Sequence, residues 1–287
     1  MNIRKIIGNP QNYWEFCREE RNYAAILFAA LCKKENLAAF LKKCGIDDDP
    51  IENNQFGIYY EYAYLRDLWN GIGKSDEGDK QESSNSLDTI EVANIKRKEI
   101  ILKFLQNVAG VEAILNKSII EINQHFVSGK PSEIFIQSPG RWSVATMSNK
   151  ETFKRPSDLL AACKFKWAFN IKPDLVIHLS KTRAICIEIK HESGEGRYPA
   201  ATGEKDIFKR AGIEETVGQI EMQKYLMTEL LGLTTQFICI KSKINQTGNR
   251  PHDCPTELHW KDVFGCMDMT HMPFFAQNMA FKISEKT

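Results

Sequence analysis

The stretch that decides how the chain folds is Ile171-Lys-Pro173-Asp174-Leu-Val-Ile-His178-Leu-Ser180-Lys-Thr-Arg183-Ala-Ile-Cys186-Ile-Glu188-Ile-Lys190. Two short apolar runs flank the polar break Ser180–Arg183, which predicts two neighbouring antiparallel strands joined by a tight turn. Along the second run the alternation sets Ala184, Cys186, Glu188 and Lys190 on one face and Ile185, Ile187 and Ile189 on the other. An acid and a base therefore project together from a strand that is otherwise apolar. Asp174 follows Pro173, a residue tolerated at a strand start or a bulge, and this sets Asp174 beside Glu188 across the hairpin.

Working outward, 287 residues suffice for one large domain or for a core domain with a substantial extension. The composition, 43% hydrophobic and 26% charged, is that of an ordinary soluble globular chain. No apolar run approaches the roughly 20 residues that span a bilayer, and the N-terminal apolar part is too short for a signal peptide, so a cytoplasmic protein is expected. Eight cysteines show no CxxC pair, and Cys17, Cys32 and Cys186 sit in apolar or helical surroundings, which predicts reduced, mostly buried thiols. The net charge of +1 does not decide for or against nucleic acid, but it is unevenly spread. Residues 130–190 hold 11 Lys and Arg against 5 Asp and Glu, whereas residues 46–89 hold 3 against 11. The basic part is the one that contains the hairpin.

Residues 1–126 read as a helical N-terminal region. A helix is expected over 12–34, a shorter one capped by Asn36 and ending at Gly45, and an aromatic-rich helix over 56–69. The stretch 71–87 reads as a mobile surface loop, and amphipathic helices follow over 91–104 and 111–126. Residues 127–287 read as the core. Ile134-Phe-Ile136 suggests a strand, Pro156–Lys164 a short helix or loop, 214–231 a helix and 235–240 a strand. The last 45 residues read as irregular, with Trp260–Phe264 the only helical candidate. From about residue 91 the order is helix, strand, strand, strand, helix, strand, with the core helix drawn from 91–126.

Pro173-Asp174, then 13 residues, then Glu188-Ile189-Lys190 resembles the PD-(D/E)XK nuclease superfamily, over roughly residues 91–241. The resemblance implies an α/β fold with a restriction-endonuclease-like αβββαβ core, a mixed central sheet and, here, an N-terminal helical extension. It implies a metal-dependent endonuclease that hydrolyses DNA, double-stranded rather than single-stranded, with a place in restriction or antiviral phage defence and with a homodimer or a partner protein of a defence system. The chemistry is sound on its own terms. Phosphodiester cleavage needs a positioned water and neutralised phosphoryl oxygens, which Mg²⁺ or Mn²⁺ supplies when carboxylates hold it and leave positions open. Asp174 and Glu188, with the Ile189 carbonyl as a third ligand, form such a partial cage, and Lys190 is the catalytic cation. The competing account is a buried Glu188–Lys190 ion pair, costly on an apolar strand without compensation.

The superfamily often adds a helical Glu before the Asp and a polar residue on the helix after the ExK strand. Gln219 and Gln223, four apart, are candidates for the second role, against a solvated helix face. Glu61 is the candidate for the first, ahead of Glu112 and Glu121, although a Glu61–Arg66 pair explains it equally well. Arg197, Lys205, Lys209 and Arg210 read either as a clamp on a nucleic-acid backbone or as a solvated charged loop. His252, Cys254, His259 and Cys266 fit no standard zinc spacing. Two other functions compete with a nuclease: a catalytically inactive nucleic-acid-binding or protein-interaction module on the same fold, and a helical assembly protein.

Overall fold

The computed structural model describes residues 20–46, 56–72, 87–190, 196–242 and 254–285. In chain order the elements are α1 (Glu20–Leu31), α2 (Lys34–Lys43), β1 (Gly57–Tyr60), α3 (Tyr64–Gly71), α4 (Leu87–Leu105), α5 (Val111–Leu115), α6 (Ile119–Phe126), α7 (Val144–Ser148) and α8 (Pro156–Ala168). There follow β2 (Leu175–His178), β3 (Arg183–Lys190), β4 (Arg197–Tyr198), α9 (Thr202–Arg210), β5 (Val217–Gly218), α10 (Gln219–Lys224), β6 (Thr234–Lys241), β7 (Thr256–His259), α11 (Trp260–Gly265) and α12 (Phe274–Glu285). The chain divides into two compact units, Met1–Tyr62 with Pro173–Glu195 and Leu233–Thr287, and Ala63–Lys172 with Gly196–Gly232.

The first unit is α/β, built on a five-stranded mixed sheet of order β1-β2-β3-β6-β7. β1 and β2 pair antiparallel, as do β2 and β3, whereas β3–β6 and β6–β7 are parallel. The hairpin expected from 171–190 is present, with Leu175 opposite Ile187 and His178 opposite Ala184. Ser180 closes its turn, the hydroxyl accepting the N–H groups of Thr182 and Arg183 at 3.2 and 3.1 Å. Ile185, Ile187 and Ile189 point into a core shared with Leu27 of α1, Phe40 of α2, Trp260 of α11 and Met279 of α12. Each such fully buried side chain stabilises the fold by about 1.5–3 kcal/mol.

Several expectations need correction here. The aromatic run from Phe56 is an edge strand, because Ile58, Tyr59 and Tyr60 lie opposite Ile177, Val176 and Leu175, and helix begins only at Tyr64. Asn36 is not a cap. α2 starts behind Lys33, and the buried Asn36 amide donates to the carbonyls of Ala30 and Asp268 at 3.0 and 2.9 Å. The helix lying on the sheet is α1, whereas the helices of 87–126 belong to the second unit. The C-terminal part is ordered as β7, α11 and α12, the last burying Ala276, Met279, Ala280 and Ile283 at helical spacing.

The second unit is helical, with α4–α8 and the α9–α10 region, and α10 runs on as a π-helix over Tyr225–Leu230. The helix expected over 111–126 is broken into α5 and α6, the second opened by a capping box between Ser118 and Glu121. Ile134–Ile136 forms no strand. Side-chain amides replace the missing neighbour: Asn94 donates to the Ile134 carbonyl at 2.8 Å and accepts the Ile136 N–H at 2.9 Å, and Asn123 donates to the Ser132 and Phe135 carbonyls, both at 2.8 Å. Among the described residues no helix is long and apolar enough to cross a membrane. Cys44, Cys163, Cys186 and Cys239 are buried as expected, but Cys32 is exposed.

Candidate active site

The site is assembled where β2 begins and β3 ends. The Glu61 and Tyr62 N–H groups donate to the carbonyls of Asp174 and Pro173, both at 3.0 Å, which fixes the start of β2 against the end of β1. Continuing the β2–β3 register from Leu175–Ile187 sets Pro173 opposite Ile189. Proline has no N–H to give to the Ile189 carbonyl, and the Asp174 carboxylate instead accepts the Ile189 N–H at 2.8 Å. A Pro-Asp dipeptide at this point thus ends the ladder and turns an acid toward β3.

Glu188 is 2% exposed, a carboxylate inside the protein. The Lys190 ammonium lies 2.7 Å from its Oε1. Lys190 also lies 4.0 Å from the carboxylate of Glu20, at the first turn of α1. Burial and the neighbouring Glu188 charge push the Asp174 carboxyl up to about 8, against the pull of the Ile189 N–H and Lys190. Burial draws Lys190 down, but Glu188, Glu20 and Asp174 outweigh it, so the ammonium is held above its ordinary range. Two carboxylates and a permanent cation therefore share a buried site in which the acids repel one another unless a proton or a further cation intervenes.

The face that carries Glu188 continues across the parallel strands. Glu188, Cys239 and Glu257 lie in one row of β3, β6 and β7, and Lys190, Lys241 and His259 in the next. Lys241 is ion-paired with Glu257. Cys186 and Cys239 are buried thiols pushed up well above their ordinary range, Cys186 chiefly by burial and Cys239 chiefly by its bond with Cys254, so neither is a nucleophile at neutral pH.

Of the residues singled out from sequence, the structure brings together Asp174, Glu188, Lys190 and the backbone of Ile189. Glu61 pairs with Arg21 at 3.3 Å instead of with Arg66, which binds Asp67. Glu121 serves the Ser118 cap, and Glu112 lies in α5 of the second unit. The acid that a helix does supply is Glu20, which sequence reasoning missed. The apolar spacing Tyr23, Ala24, Leu27, Ala30 and Leu31 marks α1 as a helix with one buried face, but it does not by itself place Glu20 beside Lys190. Gln223 is fully buried, which excludes a solvated face for it, and Gln219 is half-buried; both belong to the second unit. Arg197 donates to the Thr216 hydroxyl at 3.1 Å, while Lys205, Lys209 and Arg210 are exposed on α9.

Cys254 and Cys266 bond the carbonyls of Thr256 and Val263, and His252 lies outside the described residues. Among the described residues no group of three or more His, Cys, Asp and Glu side chains is arranged to hold a metal ion. Asp174 and Glu188 are a pair, the number of carboxylates with which Mg²⁺ is commonly held when waters and substrate phosphate complete its shell. Burial and the Glu188 charge raise Asp174, and a divalent cation would relieve both, so in that respect the donor set fits one. Comparison with family models, with curated proteins and with solved structures finds no match for this chain.

Proposed function

We propose that this protein is a metal-dependent nuclease that hydrolyses DNA phosphodiester bonds, with Asp174 and Glu188 holding Mg²⁺ or Mn²⁺ and Lys190 acting as the catalytic cation. The observation that carries this reading is the Asp174 carboxylate, fixed by the Ile189 N–H beside a buried Glu188 that the Lys190 ammonium touches. A bound divalent ion would supply an activated water and neutralise charge on the scissile phosphate. Asp174 and Glu188 orient such an ion, and the Ile189 carbonyl, opposite a proline that cannot donate to it, is the third candidate ligand. Lys190 keeps its proton, so its part is to offset charge on the phosphoryl oxygens and orient the water. Glu20 holds Lys190 from the α1 side.

Within the first unit the order α1, β1, β2, β3, β6, with β3 and β6 parallel, supports the helix and strands of a restriction-endonuclease-like core, with β1 in the place expected of residues 134–136. A role in restriction or phage defence, with a homodimer or a partner protein, follows from the resemblance alone. The 2.7 Å Lys190–Glu188 contact also suits a structural ion pair in a non-catalytic nucleic-acid-binding module. One experiment separates the two readings. The purified chain is incubated with plasmid, single-stranded DNA and RNA in Mg²⁺, Mn²⁺ or EDTA. A nuclease nicks or cuts only with metal; a module that binds DNA equally well in EDTA and never nicks it overturns the proposal.

A further inference from the structure

The second unit holds a cleft that the nuclease reading does not use. Its volume is about 410 Å³, within the range of about 300–1,000 Å³ typical of small-molecule sites. It lies among α7, the 3-10 turn Glu151–Phe153, the first turns of α8, and α9. Phe153 and Leu159, both buried, and Ile207 give it an apolar lining. Asn149, Lys154 and Arg210 supply its polar side.

No carboxylate is among the residues lining it. Asp158, four residues beyond Lys154, is taken by a two-pronged bond from Arg155 at 2.6 and 2.9 Å. Lys154 makes only a long, solvent-exposed ion pair with Glu151, at 4.0 Å. Arg210 spends only its Nε, on the Asp206 carbonyl at 3.3 Å, and among the described residues its two terminal nitrogens meet no acceptor. The lining thus combines a forked cation, a point-charge cation and an amide with apolar side chains.

We infer that this cleft binds a phosphate monoester carried on a flat, apolar body, the chemistry of a nucleoside monophosphate. A phosphate monoester carries between one and two negative charges at neutral pH and several acceptor oxygens, which suits an arginine fork with a lysine better than a single carboxylate would. The apolar lining takes the base. The same chemistry is presented by a free nucleotide and by the 5′-phosphorylated end of a nucleic-acid strand.

The test is calorimetric titration of the full chain in EDTA with AMP, inorganic phosphate, adenosine, a 5′-phosphorylated tetranucleotide and its 5′-hydroxyl counterpart. AMP is expected to bind one to one, at least about tenfold more tightly than inorganic phosphate or adenosine. Arg210→Gln and Lys154→Gln, both at exposed positions, should each weaken binding about tenfold or more with unchanged melting. Ile207→Trp, which fills the cleft, should abolish it. Binding of the phosphorylated strand alone, lost in the same variants, upholds the site and assigns the phosphate to a strand end. No saturable binding by either, or binding that survives Arg210→Gln, overturns the inference. Asp174→Ala should bind as wild type does, so failure of the nuclease reading leaves this result readable.

Discussion

Asp174→Asn is predicted to stabilise the metal-free protein while abolishing the proposed cleavage. Asp174 titrates near its ordinary value of 3.8 in the unfolded chain and at about 8 in the fold. Between those values the folded protein holds a proton that the unfolded chain has lost, so stability falls as pH rises, by about 1.4 kcal/mol per unit for one proton. The penalty is absent below the unfolded value, reaches on the order of 4 kcal/mol at pH 7, and is complete above the folded value. Asparagine has nearly the same shape, its carbonyl oxygen can accept the Ile189 N–H, and it does not titrate. Urea denaturation in EDTA at pH 5, 6, 7 and 8 measures the difference. The variant's advantage should grow steadily across that series and amount to about 1–3 kcal/mol at pH 7, part of the full penalty being lost to its unshared amide N–H groups. Adding Mg²⁺ at 100 times its dissociation constant should then stabilise wild type by about 2.7 kcal/mol and leave the variant unchanged. Stability curves that stay parallel in pH, or a variant less stable than wild type at pH 8, would refute a carboxyl raised by burial and by the Glu188 charge.

Two further outcomes follow from the same geometry. Glu20→Gln removes the second acid on Lys190 at a one-fifth-exposed position; cleavage should fall about tenfold or more, with urea midpoints moving by no more than about 0.5 kcal/mol, and unchanged cleavage rates would leave Glu20 a bystander. Arg97, buried in the second unit between Trp69 and Phe135 at 5.4 and 5.1 Å, has an Nε with no hydrogen-bond partner among the described residues and meets no carboxylate there. Arg97→Met should therefore be neutral or stabilising by up to about 2 kcal/mol in urea melts, and a loss of that size would show that the two rings compensate the charge fully.

The hairpin could be read from sequence because its signals are local. Alternation, a polar turn opened by Ser180, and Pro173 act within twenty residues, and the strands pair as they require. The first strand was misread for the opposite reason. Gly57–Tyr60 has too few residues to show a period, and it becomes a strand only by pairing with Leu175–His178, more than a hundred positions away. Ile134–Ile136 carried a strand's composition, but two asparagines from α4 and α6 claimed its backbone. The structure brings Asp174, Glu188 and Lys190 together because the same hairpin carries all three. Glu20 was missed, since its approach to Lys190 depends on how α1 lies on the sheet, which the spacing of its own residues cannot fix.

The most direct measurement is plasmid cleavage in Mg²⁺ by wild type and by Asp174→Ala, Glu188→Ala and Lys190→Ala, each checked for folding by circular dichroism. Wild type is expected to nick only with metal, and the three folded variants not above background; full Mg²⁺-dependent cleavage in all three would contradict the proposed site.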